Sequence, residues 1–364
     1  MQDRKKILVV GECHIDLYYK TQFFNQLIER ISDRLFSLYE INKIQSKNSL
    51  KERILETILD SRKKNEGIFF LNRGGNGNNS AELMVKLGLP IKLLTIIGKD
   101  ANWILDELGN MGIDIENVYQ IDKQTPISTI IEDPPITKIF VSPNLKQEMN
   151  FDKIELNKSV LPGNKIIYFT PIAKKFKKLI KLAKHQNIIS IFTIELQQVK
   201  SIEELEEILD YKMDIMFSNL KDLTEILGTS IVGVEDDIAT ENLIDRIDEI
   251  MKQFSHIRIY TYGKEGSFIR SEHNIKIKIP IIPVKVLDQT GAGDTYSAGF
   301  ISKLYNLIED LNHLKSLYQP ENRKELFEVL ENCGKFGTYT AAFKISKGES
   351  PNEKELDKFL KSQF

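Results

Sequence analysis

Cysteine is scarce. Only Cys13 and Cys333 occur among 364 residues, too few and too far apart for a disulfide scaffold or a cysteine-ligated zinc site. Long hydrophobic runs are missing too. Ile7-Leu8-Val9-Val10 follows basic residues but stops at Gly11-Glu12, which makes it a strand and not a signal peptide, and no stretch approaches the roughly 18 apolar residues of a membrane span. Neither charge is in surplus: 50 basic residues stand against 52 acidic ones, a formal net charge of −2, without the clustered basic excess that a phosphate-reading protein needs. The five histidines, His14, His185, His256, His273 and His313, are scattered without ligand spacing, so nothing marks a metal hydrolase. These absences describe a soluble cytoplasmic protein with no membrane and no nucleic-acid partner.

What is present is a chain able to fold. Its 41% hydrophobic content supports a sizeable core, and its length suggests two domains or one large α/β domain with an attachment. Short apolar runs at Ile7–Val10, Leu93–Ile97, Ile166–Phe169, Ile188–Phe192, Ile215–Phe217 and Ile257–Tyr260 read as buried strands. Segments of helical character, such as Ala173–His185 and Asn242–Phe254, alternate with them, as in a doubly wound α/β body on a mostly parallel sheet. In the Lys174–Lys178 run, Phe176, Leu179, Ile180 and Leu182 or Ala183 face inward and the lysines form a solvated face.

Two regions break the alternation. Between Leu17 and Asn72, Phe24, Leu27, Ile28, Ile31, Leu35 and Leu38 recur at helical spacing, and a second helical candidate follows at Leu50–Leu59. Between Ile121 and Val141, apolar residues alternate on either side of Asp133-Pro134-Pro135 and read as a hairpin. Residues 1–16, 73–120 and 142–364 are therefore assigned to the body, and residues 17–72 and 121–141 to a small cap with a helical insertion.

The segment Val284–Ile301 is the most informative: an apolar strand, a glycine turn and a helical run. Gly291 and Gly293 leave the following helix's first amides open to an anion. Asp294 inside that turn would repel a phosphate unless it has chemistry to perform, such as taking the proton from an attacking hydroxyl; alternatively it caps the helix. A second cluster, Gly74-Gly75-Asn76-Gly77-Asn78-Asn79-Ser80, combines glycines with amides that suit a hydroxyl-rich ligand, or is an ordinary loop and N-cap. Asp16 follows the first strand, at the edge where open α/β sheets bind ligands; an ionised carboxylate there accepts from two hydroxyls, or Asp16 is a turn residue.

Asp288-Gln289-Thr290-Gly291-Ala292-Gly293-Asp294-Thr295 resembles the signature of the ribokinase/PfkB-type carbohydrate kinases. Gly11 and Asp16 resemble that family's first-strand Gly-x-x-x-x-Asp, and Gly74-Gly75 to Asn79-Ser80-Ala81 its substrate loop. Ile97-Gly98-Lys99-Asp100, Asn219-Leu220-Lys221-Asp222 and Thr261-Tyr262-Gly263-Lys264-Glu265-Gly266 are similar to three further motifs in the expected order. The resemblance spans Ile7 to about Pro351. It implies a ribokinase-like, three-layer α/β/α fold with a small β-rich lid, and an ATP-dependent, magnesium-requiring kinase acting on a hydroxymethyl group of a sugar, nucleoside or related polyol. By the same resemblance Asp294 is the base and Gly291, Ala292 and Gly293 the anion hole. Asp16, Gly75 and Asn79 hold the substrate. Asn219, Asp222, Thr261, Gly263 and Gly266 attend the nucleotide, with Asp222 near magnesium through water. Asp288 and Thr290 match the ligand positions of a monovalent cation such as potassium.

Three departures stand out. Asp222 replaces the family's usual Glu, Asn76 stands where several members carry Lys, and the Leu17–Arg73 stretch is longer than the usual lid connection. Its apolar stripe needs a partner surface, for which a homodimer through the lid is expected. Two rival functions are a non-catalytic sugar or nucleotide sensor on the same fold and an NAD-dependent dehydrogenase, the latter because Gly75-x-Gly77-x-x-Ser80 precedes a helix with Asp100 about twenty residues on.

Overall fold

The structure, a computed structural model, describes residues 4–21, 26, 29, 67–133, 136–141, 151, 155–156, 158–229, 237–287 and 289–363. The helical stripe from Phe24 to Leu38 and the candidate at Leu50–Leu59 lie outside these residues. The chain divides into two compact units, residues 1–13, 75–124 and 148–364, and residues 14–74 and 125–147.

The first unit is built on a nine-stranded sheet. Its strands are β1 (Lys6–Gly11), β4 (Ile91–Gly98), β5 (Val118–Ile121), β8 (Asn164–Thr170), β9 (Ile189–Ile194), β10 (Met213–Asn219), β11 (Ser255–Thr261), β12 (Ser267–Ser271) and β13 (Ile275–Ile279). They lie in the order β13-β12-β11-β10-β9-β8-β1-β4-β5. Every pairing from β5 to β11 is parallel, and β12 and β13 close one edge antiparallel. The six apolar runs read as strands fall in β1, β4, β8, β9, β10 and β11. The remaining three escape such a reading for separate reasons: β5 has only four residues, β12 is the polar-interrupted Ser-Phe-Ile-Arg-Ser, and β13 buries only alternate residues of Ile-Lys-Ile-Lys-Ile.

Its helices are α1 (Asn76–Lys86), α2 (Asn102–Asn110), α3 (Lys177–Ala183), α4 (Ile202–Ile208), α5 (Leu220–Ile226), α6 (Asp237–Met251), α7 (Ala292–Leu307), α8 (Leu311–Leu317), α9 (Arg323–Lys347) and α10 (Glu353–Gln363). Side chains alternate across a strand, and both sheet faces are covered. Leu8, Val10, Ile167, Phe169, Phe192 and Met216 share a core with residues of α3, α4, α5 and α6. From the opposite face, Tyr168 bonds to Ser297 of α7, and Phe217 packs edge-on against Phe300 of the same helix. Burial on both faces is why these strands read as unbroken apolar runs.

The second unit is a four-stranded sheet ordered β3-β2-β6-β7, from β2 (His14–Thr21), β3 (Gly67–Gly74), β6 (Ile127–Asp133) and β7 (Ile136–Val141). The expected hairpin is β6 and β7, antiparallel from Asp133↔Ile136 back to Ser128↔Val141. β2 and β3 are also antiparallel, with Thr21 opposite Gly67 and His14 opposite Gly74. Both edge strands expose apolar side chains: Ile68, Phe69 and Leu71 on β3, and Ile139, Phe140 and Val141 on β7. Among the described residues no helix is long and apolar enough to cross a membrane.

Three local expectations change. Val284–Leu287 forms no strand: Pro280 and Pro283 remove ladder donors just after β13, and Val286 and Leu287 are exposed. Asp16 follows the first strand of the large sheet as expected, but it stands within β2 of the small sheet and not in a turn. Lys175 leaves the solvated face assigned to it, since its ammonium pairs with Glu12 at 2.9 Å and both side chains are largely buried.

Candidate active site

The carboxyl ends of β1, β9 and β10 and the start of α7 bring Glu12, Glu195, Asp222 and Asp294 near one another, at the edge where open α/β sheets bind ligands. α7 starts sharply. Gly291 caps it with φ 73, a left-handed conformation natural to glycine, and its carbonyl accepts from Thr295 N at 2.9 Å and Thr295 Oγ1 at 2.8 Å. A helix leaves its first-turn amides without intrahelical acceptors. Ala292 N donates to Gln289 O at 3.2 Å, so the N–H groups of Gly293 and Asp294 are the ones left facing outward. Asp294 is the third residue of α7, and the cap makes no side-chain bond; it is a first-turn residue but not the N-cap.

The helix is held firmly. Tyr168 Oη bonds to Thr193 Oγ1 at 2.7 Å and Ser297 Oγ at 2.8 Å, Ser297 Oγ reaches back to Asp294 O at 3.0 Å, and Tyr296 Oη donates to Ser267 Oγ at 2.8 Å. The first two turns of α7 are thereby tied to β8, β9 and β12, the kind of support a preorganised group needs.

α1 supplies the second wall. Its entry is pressed against the end of β1: a Cβ on Gly11 would lie 2.8 Å from Gly77 Cα, and one on Gly77 2.8 Å from Gly11 C. Only two glycines permit that approach. It places Asn79 so that its Nδ2 lies 3.5 Å from Asp294 Oδ2, with its Oδ1 held by Asn78 Nδ2 at 3.1 Å. Gly75 caps α1 at φ 95, and its carbonyl accepts from Asn79 N at 2.9 Å. One turn earlier, Asn76 Nδ2 donates to Glu195 Oε1 in a short contact.

Glu195 was not singled out from the sequence. It follows directly on β9, and a carboxylate at the end of an apolar run was the available signal, the same one that marked Asp16. Asp222, in the first turn of α5, accepts from Leu196 N at 3.2 Å. Asn219 caps that helix by accepting from Lys221 N at 2.9 Å, so the Asn-x-x-Asp spacing is a helix start at the end of β10.

Glu195, Asp294, Asp222 and Glu12 form an acidic group in which Lys175 partners Glu12. Solvent still reaches Asp294 and Glu195 in part, but protein crowds both. Burial pushes the Asp294 carboxyl up to about 7, against the opposing contact from Asn79. Burial, then the charges of Asp294, Asp222 and Glu12, push Glu195 up to about 8, with Asn76 opposing. A carboxyl poised near neutrality can take a proton from a hydroxyl and release it again. The oxygen donors suit a hard divalent cation, although among the described residues no three acidic, histidine or cysteine side chains converge as a ready-made cage.

At the end of β11, Tyr262 N donates to Gly266 O at 2.9 Å, closing a turn over Gly263–Glu265. A Cβ on Gly266 would lie 2.1 Å from Ile279 O. Thr261 ends the strand and is half-buried. Thr290 is exposed in the turn before α7, and Asp288 lies outside the described residues. Asp16, in the second unit, has its own neighbours, with His14 Nε2 at 3.1 Å from its Oδ1. The dinucleotide pattern at Gly75–Ser80 lacks its structural setting, because the strand before it, β3, is antiparallel in the small sheet and not part of a parallel βαβ unit.

The pfkB family carbohydrate kinase pattern matches residues 54–356. The chain is similar to a 5-dehydro-2-deoxygluconokinase of Clostridium botulinum, at 24% identity over 317 residues covering 80% of this chain and 84% of that protein. It is similar to a nucleoside kinase of Methanocaldococcus jannaschii at 27% identity over 295 residues, covering 79% and 84%. The solved structure of Arabidopsis thaliana ribokinase complexed with ribose and ATP has the same fold, with a TM-score of 0.67, 16% identity, and coverage of 98% of this chain and 99% of that one.

Proposed function

Because the chain belongs to the pfkB family of carbohydrate kinases, we propose that it transfers the γ-phosphoryl group of ATP to a hydroxymethyl group of a sugar, nucleoside or related polyol, with Asp294 as the base. One observation carries this reading: a carboxyl held near neutrality stands in the same helical turn as the outward-facing amides of Gly293 and Asp294. The amides bind the transferring phosphoryl group where charge develops. Asp294 takes the proton of the attacking hydroxyl, and Asn79 holds the carboxylate against it. Gly291 and Ala292 shape the turn as the rest of the anion hole. Asp16 accepts from hydroxyls of the acceptor, and Gly75 keeps the entry of α1 open to it. Thr261, Gly263 and Gly266 form the wall for the nucleotide, beside Asn219.

The clustered carboxylates also fit magnesium. Asp222 and Glu195 carry oxygen donors that repel each other in the free protein, and a divalent ion brought with the nucleotide phosphates would be held near them, through water at Asp222. Its contribution is to neutralise phosphate charge. A potassium site would draw on Thr290 and on Asp288. The exposed apolar residues of β3 and β7 support a homodimer formed through the small sheet, since two uncovered apolar edges are a liability for a monomer.

The test is a coupled ADP-release screen with ATP and magnesium over pentoses, hexoses, ketoses, their phosphates and nucleosides, with Asp294→Asn as control. Turnover that Asp294→Asn abolishes supports the reading. Tight binding of a sugar and a nucleotide with no turnover would make the protein a sensor on a kinase fold.

A further inference from the structure

His14 and Asp16 stand two residues apart on β2 and so project from the same face of the small sheet. His14 Nε2 lies 3.1 Å from Asp16 Oδ1 and 3.1 Å from Oγ of Ser128. Ser128, itself buried, is the residue opposite Asp16 in the parallel β2–β6 ladder. Both side chains of the pair are largely buried, at 10% exposure for His14 and 15% for Asp16.

The contact dictates a tautomer. An ionised carboxylate only accepts, so the proton between His14 and Asp16 belongs to Nε2, with Ser128 Oγ beside the same nitrogen. In the neutral ring Nδ1 is then a bare acceptor. Nδ1 is buried and, among the described residues, has no hydrogen-bond partner. Packing a ring there with one nitrogen unsatisfied is unfavourable, and apolar packing alone would be served better by leucine. Backbone closes over the whole carboxylate: a Cβ on Gly74, the residue paired with His14, would fall 2.2 Å from Asp16 Oδ2, 2.3 Å from its Cγ and 2.4 Å from its Oδ1.

We propose that His14 is a positioning residue for Asp16: its Nε2–H fixes one carboxylate oxygen while the side-chain-free backbone at Gly74 packs against the carboxylate as a whole, so the group meets acceptor hydroxyls in a single orientation. Fixing the rotamer before binding lowers the ordering entropy that recognition would otherwise cost. His14 thus acts on acceptor affinity through Asp16 and takes no part in proton transfer. The inference rests on the reading of Asp16 as a hydroxyl-binding group.

The first arm of the test uses the full chain without ligand, labelled with 15N-histidine, so it does not depend on the acceptor. Long-range 1H–15N correlation should show a ring protonated at Nε2, assigned by its loss in His14→Gln and displaced in Asp16→Asn. A ring protonated at Nδ1 alone, or one indifferent to Asp16→Asn, overturns the proposal. The second arm is kinetic, with D-ribose and adenosine as acceptor probes. His14→Leu should raise acceptor KM about tenfold or more, as expected for a lost charge-assisted bond, with a much smaller change in kcat. His14→Gln, whose amide nitrogen reaches the place of Nε2, should recover most of the loss. In an Asp16→Ala background His14→Leu should add little, because the two residues act as one unit; additive losses would assign His14 a merely structural role and reject the proposal. If His14→Leu fails to fold, the spectrum and His14→Gln still decide. If neither probe is phosphorylated by wild type, the kinase reading loses ground while the spectrum judges this inference separately.

Discussion

The large and small sheets bury their residues by opposite rules. In the large one, helices cover both faces, so Ile7–Val10, Ile166–Phe169 and Ile257–Tyr260 are wholly buried, and the clustered carboxylates Glu12, Glu195 and Asp222 lie beyond the strand ends. In the small one, Asp16 and His14 lie within a strand, while the edge strands carry Ile68, Phe69, Ile139 and Phe140 exposed. A fully covered sheet can offer polar groups only where its strands stop; a partly open sheet can present them from a strand's interior. The proposed roles follow this division, with the proton-accepting Asp294 in the first unit and the hydroxyl-binding Asp16 in the second.

The sharpest way to break that division is Asp294→Asn. The amide is nearly isosteric, so fold and nucleotide affinity should survive while turnover drops by about 10²–10⁴-fold; near-normal turnover would reduce Asp294 to a first-turn residue. Next in size, Asp16→Ala and Asn79→Ala should separate. Each removes hydrogen bonds worth ~1–3 kcal/mol, but Asp16→Ala should appear in acceptor KM and Asn79→Ala, because it touches Asp294, chiefly in kcat. Both losses falling on acceptor KM, in steady-state kinetics with ATP saturating, would return Asn79 to a pure substrate-binding role.

Charges placed on the edge strands sharpen the other half of the comparison. Phe69→Glu with Phe140→Lys should shift the protein from dimer towards monomer in light scattering while leaving nucleotide binding intact. Wild type that is monomeric at tens of micromolar would defeat the dimer.

The smallest effects are in pH. Glu195 and Asp294 bind protons more tightly folded than unfolded, so the stability they contribute is present at acid pH and lost as pH rises towards about 8 and about 7. Glu195→Gln should therefore raise the melting temperature relative to wild type at pH 8.5 and lose that advantage near pH 5, by differential scanning fluorimetry. An advantage independent of pH would show that Glu195 is not held protonated. Acceptor kcat/KM should also fall on the acid side of about 7, where Asp294 gains its proton.

Much of this was readable from the residues, unevenly. Strands covered on both faces announce themselves because burial on both sides leaves no polar position to interrupt the run, and the Gly291–Asp294 turn was legible because a carboxylate in a glycine turn that opens a helix is anomalous. Glu195 was not, since its role arises from proximity to Asp294 and Asp222, which are 99 and 27 residues away along the chain and meet it only through the strand order. Lys175 was misassigned for a similar reason: helical spacing placed it on a solvated face, and only the position of Glu12 at the end of β1 draws it inward. Val284–Leu287 had strand composition, but Pro280 and Pro283 remove ladder donors at its start, and pairing, not composition, makes a strand.

β2 ends at Thr21 and β3 begins at Gly67, and these two residues face each other across the ladder. The backbone therefore leaves the small sheet at Thr21 and rejoins it at Gly67, at a single point of the ladder. Joining Thr21 to Gly67 through an Asn-Gly turn satisfies the geometry of a two-residue hairpin, and a longer replacement costs little more, because closure entropy grows only with the logarithm of length. The same junction can accept a foreign domain, an affinity handle or a pair of fluorophores without asking any strand to change its register.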